Sequence, residues 1–455
     1  MKRIMIIAGL TLLTLSSCKI GHKYSGVETR MPQEYRETGA SDSFSMADIE
    51  WWRVYTDPSM QMVINKTLAN NKDLRIADAR LREIAAMKRI ATAALFPEIT
   101  GNVYGQREGQ NYGGDQFKPD PEIGVKASMS WEIDLWGNLR WGRDKSIADY
   151  LASVESRRAL QVSLVAQTAQ AYCELMSLDN ELRIVQHTLT ARREQERIAK
   201  LRFEGGLTSE IPYLQAKVEL ERTATRVPVL KRNISVKEHQ VSLLMGEFPG
   251  QDIRRGDTRN LQLPDEIPVG LPSTLLVRRP DIRQAEQQLI SANAAMGMAY
   301  TNRFPRLTLT ATGGLESDEF TGFLKSPMYF LGGSILGPIF DAGKRQAQYR
   351  AKQAAYEQAQ LNYEKTVMNA FTEVMNAIVE FNRVKEIYNS SFQLERSAKT
   401  AMEKAQLQYI NGVISYLDVL DAQRSYFDAQ IGLSNAMLAK QLCIVRLYSA
   451  LGGGW

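Results

Sequence analysis

Histidine and cysteine are scarce: three of each in 455 residues, namely His22, His187 and His239, and Cys18, Cys173 and Cys443. They stand far apart, so neither a zinc cluster nor a disulfide framework can be built from them. Beyond residue 17 no run approaches the ~20 continuous apolar residues of a membrane-spanning helix. Charge of one sign is lacking too. Lys and Arg number 56 against 51 Asp and Glu, and the net +5 is too small and too evenly spread for a nucleic-acid surface. Proline is missing between Pro121 and Pro212 and again after Pro338. Enzyme signatures are absent: there is no His-Glu-x-x-His, no Gly-x-Ser-x-Gly and no calcium loop. Gly337 to Lys344 only imitates a phosphate loop, because its glycines are six positions apart rather than five and Arg345 stands where Ser or Thr is needed. No enzyme, metal or cofactor is expected.

What is present begins with an address. Lys2 and Arg3 form a basic start, and Ile4 to Leu15 is an apolar stretch too short to span. Leu15-Ser16-Ser17-Cys18 follows, and it resembles the lipobox of bacterial lipoproteins. That resemblance implies cleavage before Cys18 and a covalent lipid on its thiol, with acylation of the new amino end. Each buried CH₂ contributes about 0.8 kcal/mol, so several chains on one residue make a firm anchor. The plainer alternative is a secretory signal with a chance cysteine. Lys19 is not the Asp that holds many such lipoproteins at the inner membrane, which favours the outer membrane.

The rest of the chain repeats itself. Asp73-Leu74-Arg75 with Ala77 recurs as Asp281-Ile282-Arg283 with Ala285, and Phe96-Pro97 recurs as Phe304-Pro305, each pair 208 residues apart. Gly137 matches Gly343, Phe203 matches Tyr409, Gly206 matches Gly412, and Ser209 with Leu214 matches Ser415 with Leu420, all 206 apart. The expected division is a signal over 1–17, an extended lipidated arm over 18–48, a first repeat over 49–245, a linker or small mixed segment over 246–275, a second repeat over 276–450 and a tail over 451–455. Each repeat reads as helix, two strands, long helix, helix. The first helices (about 58–95 and 280–303) stop at Phe-Pro, because a residue before proline is pushed out of the α region. Arg278-Arg279-Pro280-Asp281 reads as a helix start, with proline fixing φ and Asp281 facing the dipole.

Strands are expected at about 97–110, 122–133, 305–316 and 328–340. Ile123, Val125, Ala127, Met129, Trp131 and Ile133 alternate with Gly124, Lys126, Ser128, Ser130 and Glu132. Leu307, Leu309, Ala311 and Leu315 likewise oppose Thr308, Thr310, Thr312 and Glu316. A period of two over ~9–11 residues is the pattern of a transmembrane β-strand, and equally of a half-buried soluble sheet. Four strands cannot close a barrel, and an open edge in lipid leaves backbone groups unpaired. If these strands span, the chain must associate: two copies supply eight strands and three supply twelve.

The proline-free stretches at about 138–203 and 342–410 predict helices of ~100 Å at 1.5 Å per residue. Val367, Phe371, Val374, Ile378, Phe381 and Tyr388 mark heptad positions, which implies supercoiling against a neighbour. A solvated rod or periplasmic coiled-coil adaptor would share such helices but would need no strands. Gly206 and Gly412 end the long helices in the left-handed conformation. Thr208, Ser209 and Ser415 are placed to cap the returning helices at about 209–245 and 415–449. Pro228 should kink the first of these. Cys173 and Cys443, amid apolar helix neighbours, read as buried thiols, and Trp51 and Trp52 as packing at a helix base.

Taken in order, several stretches resemble the TolC-like outer membrane efflux ducts, in particular the lipid-anchored group serving resistance-nodulation-division pumps. They are Trp51-Trp52 with Asp57-Pro58, Asn71-Lys72-Asp73-Leu74-Arg75, and Arg278-Arg279-Pro280-Asp281-Ile282-Arg283-Gln284-Ala285-Glu286. Phe304-Pro305, Gly337-Pro338-Ile339-Phe340-Asp341 and the run from Asn411 to Gln423 complete the set. The resemblance implies a mixed α and β membrane protein. Its homotrimer would carry a 12-stranded β-barrel continuous with a long periplasmic α-helical barrel, four strands and four helical columns per chain. It implies an exit duct for small molecules, working with a periplasmic membrane-fusion adaptor and an inner-membrane transporter. A duct for secreted polypeptides would keep the same fold.

The resemblance also assigns residues. The helical tips, with the adaptor contact, fall on Gly205, Gly206, Leu207, Thr208 and Ser209, and on Gly412, Val413, Ile414, Ser415 and Tyr416. Asp418 and Asp421, three apart on one helix face, fall where family members carry entrance carboxylates. The plainer reading pairs Asp421 with Arg424 on a solvated face. Some members lock the closed tip with an arginine two residues after the tip glycine. That position is Ile414 here, so closure is expected to use Leu207, Val413 and Ile414, or tyrosines such as Tyr416.

Overall fold

The computed structural model describes residues 19–28, 31–35, 45–110, 118–250, 252–256 and 268–455. The signal over 1–17, the lipid acceptor Cys18 and parts of the arm and linker lie outside the described residues. A one-turn helix α1 (Trp51–Val54) leads to α2 (Pro58–Asn70) and α3 (Lys72–Ala93). Strands β1 (Glu98–Gln110) and β2 (Lys118–Ile133) follow, then helices α4 (Asn138–Glu204) and α5 (Glu210–Leu244). The succession then runs again: α6 (Thr274–Arg278), α7 (Pro280–Thr301), β3 (Arg306–Ser317), β4 (Pro327–Leu336), α8 (Lys344–Ile410) and α9 (Tyr416–Ala450). Helices α4 and α8 are 67 residues each, about 100 Å at the α-helical rise.

Two compact units result. One holds the sheet with Ala79–Glu155 and Gln284–Lys365; the other holds Arg30–Asp78, Ser156–Arg283 and Thr366–Trp455. In the sheet unit the order is β1-β2-β3-β4, every neighbouring pair antiparallel. The segment after Cys18 is fastened here. Lys19 pairs with Asp144 and lies over the Trp141 ring, and Trp141 Nε1 donates to the Ile20 carbonyl at 2.8 Å. In the helical unit, Met60, Ile64, Tyr172, Leu175, Leu275, Ile444, Leu447 and Tyr448 are fully buried. Tyr172 closes that core by accepting from the Gly256 N–H at 2.8 Å and bonding Asp57, whose carboxylate caps α2 through Ser59 N–H at 2.7 Å.

Boundaries differ from the sequence expectation in several places; β4, for one, ends at Leu336 rather than 340. The helix read as 58–95 is broken at Asn71. Its carbonyl-type side-chain oxygen accepts from Asp73 N–H at 2.9 Å and Leu74 N–H at 3.2 Å, and its Nδ2 donates to the Leu244 carbonyl at 2.9 Å. Asn71 thus caps α3 and ties it to the end of α5. Asn71→Ala is expected to cost about 1–2 kcal/mol, read by thermal unfolding of the purified protein. Strand β2 begins at Lys118, not 122, because Pro119 and Pro121 lie beyond the end of β3, where one side of β2 has no partner to receive a donor. The 246–275 stretch, read as a linker or small mixed segment, carries short regular pieces. Val269 forms an antiparallel bridge with Ser45, and α6 begins at Thr274. Pro228 sits inside α5, which runs unbroken through it.

Candidate functional site

Over most of its length the sheet sorts its residues by face. Directly opposed residues share a face, so the register groups Ile99, Val103, Val125, Met129, Trp131, Leu309, Ala311, Leu331 and Ile335 on one side. Every other residue of that face over 99–105, 123–133, 307–315 and 327–335 is also apolar or glycine. Ile99, Val103, Tyr329, Leu331 and Ile335 are 74 to 84% exposed, which water would oppose. The opposite face of β1 to β3 carries Thr100, Asn102, Tyr104, Glu122, Lys126, Ser128, Glu132, Thr310, Thr312 and Glu316, with side-chain contacts that include Ser128–Thr312 at 3.0 Å and Lys126–Glu316 at 2.9 Å, while β4 adds Met328, Phe330 and Leu336 to it. The apolar run in β2 has the length of a membrane-crossing strand, ~9–11 residues. Strands β1 and β4 are open edges. Among the described residues no helix is long and apolar enough to cross a membrane.

At the far ends of the long helices the two tips share one geometry. Leu207 N–H bonds the Arg202 carbonyl at 2.8 Å and Gly206 N–H bonds Phe203; Val413 N–H bonds Gln408 at 2.9 Å and Gly412 N–H bonds Tyr409. Gly206 and Gly412 have φ of 68° and 72°, the left-handed residue this closure requires. Gly205, Leu207, Ser209, Gly412, Val413 and Ser415 are exposed, with Thr208, Ile414 and Tyr416 half-buried. Phe203 stacks on Tyr213 at 6.3 Å and Tyr409 packs on Tyr416 at 5.4 Å. The Tyr416 hydroxyl is buried without a hydrogen-bond partner.

Asp418 and Asp421 are both exposed on α9. They are not equivalent. Asp418 closes a capping box: its Oδ2 accepts from Ser415 N–H at 2.9 Å and Ser415 Oγ at 2.7 Å. Those bonds hold its carboxyl below the usual carboxylate range. Its cap is fully present above the unfolded pKa and is lost as pH falls through the lower folded value. Ser209 makes no side-chain cap bond, unlike its counterpart Ser415.

Arg424 corrects the plainer sequence reading. Its guanidinium binds not Asp421 but Glu219 on α5, at 2.6 and 3.0 Å. Glu219 is buried and also meets Arg192 of α4 at 3.0 Å and Arg222 at 3.3 Å. Arg192 further bonds Thr223 and the Glu219 carbonyl, and Arg192 and Arg226 lie over the Phe427 ring. Burial pushes the Glu219 pKa up, but the Arg424 bonds and the charges of Arg192, Arg424 and Arg222 outweigh it and bring it down. Sequence spacing offered no signal, since Glu219 and Arg424 stand 205 residues apart.

The Arg278-Arg279-Pro280-Asp281 start also does more than cap α7. Buried Arg279 forks on Asp281 at 2.7 and 3.0 Å, reaches Glu373 at 2.7 Å and donates to the Ala450 carbonyl at 2.8 Å, joining α7, α8 and the end of α9. Trp51 is buried and Trp52 is half exposed, with their rings edge-to-face at 5.6 Å. Cys173 and Cys443 are free and buried, and burial pushes both thiols up to about 12.

Residues 63–247 and 271–453 match the family described as outer membrane efflux protein. The solvent efflux pump outer membrane protein SrpC of Pseudomonas putida is 30% identical over 456 residues, spanning 98% of this chain and 97% of that one. Among solved structures, the outer-membrane channel OprN is similar with a TM-score of 0.89 at 27% identity, covering 96% of this chain and 100% of that one. The open state of the Neisseria gonorrhoeae MtrE outer membrane channel gives 0.88 at 27% identity, covering 96% and 98%.

Proposed function

This chain belongs to the outer membrane efflux protein family, and from that premise we propose that it is the exit duct of a tripartite efflux pump in a Gram-negative outer membrane. The observation that carries the reading is the sheet: one face apolar over 99–105, 123–133, 307–315 and 327–335 and well exposed on the outer strands, the other mostly polar on β1 to β3 and tied by hydrogen bonds and ion pairs, with both edges open. Such a sheet suits lipid on one side and an aqueous lumen on the other. In hydrocarbon the unpaired edge groups cost several kcal/mol each, so β4 of one copy must meet β1 of the next. Repeated head to tail, that contact closes into a ring where the rotation between copies divides a full turn. Three copies supply twelve strands, with α4, α5, α8 and α9 of each forming the wall of a periplasmic tube. A lipid on Cys18 would add a second hold; the residues that follow it, Lys19 and Ile20, are fastened to Asp144 and Trp141 at the start of α4.

Transport through such a duct is passive. The transporter and adaptor do the work, and this chain supplies a sealed path and an entrance. The tips at 205–209 and 412–416 are the adaptor-facing end. Three copies of Asp418 and Asp421 would gather carboxylates at the mouth, where like charges ~4 Å apart repel by about 1 to 4 kcal/mol depending on the effective dielectric. That ring draws cations and opposes tight closure. With Ile414 in place of an arginine, closure rests on the apolar side chains of Leu207, Val413 and Ile414.

The test is single-channel conductance of the purified oligomer in a planar bilayer. Asp418→Asn with Asp421→Asn removes the charge but leaves an acceptor for the Ser415 cap. The expected result is stable insertion with block by trivalent cations weakened about tenfold or more. Block that persists unchanged would place these aspartates away from the entrance. A water-extractable monomer with no conductance would overturn the duct itself.

A further inference from the structure

The polar face of the sheet is not uniform along its length. Its middle is lined by hydroxyls, Ser128, Ser130, Thr308, Thr310 and Thr312. Glu132 with Arg306 marks the end nearer the helices; toward the other end, charge appears in one compact group on β2 and β3, with polar partners on β1. Glu122 and Lys126 point to the same side of β2, and Glu316 of β3 is registered opposite Gly124, between them. Lys126 Nζ lies 2.9 Å from Glu316 Oε2 and 3.5 Å from Glu122 Oε1. Gln106 Nε2 donates to Glu122 Oε2 at 2.6 Å, and Tyr104 OH bonds Glu122 Oε1. The ammonium also sits 4.7 Å from the centre of the Tyr104 ring.

Glycine makes the arrangement possible. A Cβ on Gly124 would fall 2.4 Å from the Tyr104 ring, so the bare backbone there is what lets the ring lie across β2 and reach Glu122. The group is therefore held from both neighbouring strands rather than left to wave in solvent. Two carboxylates against one ammonium leave a fixed net charge of −1 per chain at this level.

We propose that Glu122, Lys126 and Glu316 form a charged belt inside the strand-built section of the duct and set its preference among small ions, favouring inorganic cations over anions. The proposal rests on the duct reading, but it is separate from the tip carboxylates, which belong to the other end of the long helices. Identical belts in each copy would add around one lumen. A narrow aqueous passage between low-dielectric walls focuses such a field, so a single charge per chain is enough to be felt by ions in transit. Lys126 is then the compensating member: without it the belt would be doubly negative, and without the two glutamates it would be positive.

The sign structure makes the test sharp. The purified full-length oligomer is placed in a planar bilayer under a KCl gradient, and the K⁺/Cl⁻ permeability ratio is read from the reversal potential. Glu122→Gln with Glu316→Gln is expected to lower that ratio by about twofold or more. Lys126→Gln is expected to raise it, and Lys126→Arg to leave it near wild type. If the doubly substituted protein fails to insert, Glu316→Gln alone is expected to move the ratio in the same direction by about half as much. Conducting channels whose ratio is unchanged in these variants, or moves the same way in both charge classes, would reduce the cluster to a structural tie. No conductance from the wild type would instead bring down the duct reading, and the belt with it.

Discussion

Glu219→Ala is expected to destabilise the tip-proximal helices by about 3–5 kcal/mol, the cost of stripping one partner from a buried ion pair. Arg192 is only 7% exposed and Glu219 2%, so the cationic side cannot simply turn to water. Arg192, Arg222 and Arg424 all make their closest charged contact with this carboxylate, and they come from three different segments: α4, α5 and α9. Removing it leaves like charges facing each other across the two hairpins of one chain. Unfolding of the purified oligomer by chaotrope should show the loss, and single-channel recordings should show a noisier, more open entrance. Arg424→Ala should do less, because Arg424 is partly exposed and Glu219 would keep Arg192. Acid should mimic the substitution. Since the folded pKa of Glu219 is depressed, its contribution is complete above the unfolded value of about 4.3 and fades as pH falls through the lower folded value. Equal stability of Glu219→Ala and wild type at neutral pH would show that the network holds nothing together.

Gly314→Val is expected to prevent stable assembly. A Cβ there would lie 2.2 Å from the Val125 carbonyl oxygen and 2.9 Å from Lys126 Cα, both backbone atoms that cannot swing aside. Strands β2 and β3 would have to separate, losing ladder hydrogen bonds at the middle of the sheet in addition to about 1–3 kcal/mol of overpacking, or more. The pair is the seam between the two halves of the chain, so its loss opens the sheet rather than trimming an edge. The expected readout is loss of the heat-modifiable oligomer on gels and loss of conductance. Gly313→Ala is the matched control, because a Cβ at Gly313 meets nothing within 4 Å. A wild-type oligomer from Gly314→Val would mean that β2 and β3 do not pair in the assembled protein.

Local features were readable in proportion to how local their physics is. The left-handed residues at Gly206 and Gly412 and the cap at Ser415 are decided within six residues, and each leaves its mark in the letters themselves. The face-sorting of the strands is likewise a matter of alternation. Asn71 shows the limit even at short range: a single helix was read over 58–95, ended only by Phe-Pro, while the Asn71 side chain caps α3 and gives its amide to Leu244. Asp418 was legible as an acid near the tip, but its commitment to Ser415 needed the turn to be built. Glu219 was not legible at all.

By itself the sequence determined the kinds and order of the main elements, the two glycine-ended tips and the division of β2 and β3 into an apolar and a polar side, because these follow from dihedral preference and from periods of two and 3.6. Only the tertiary structure decided that β2 lies beside β3, that Arg279 gathers Asp281, Glu373 and the end of α9, and that Arg424 turns from Asp421 to Glu219. The reason is that pairing between distant segments is chosen by shape and by the exclusion of water from charge, and neither is written in the spacing of residues along a chain.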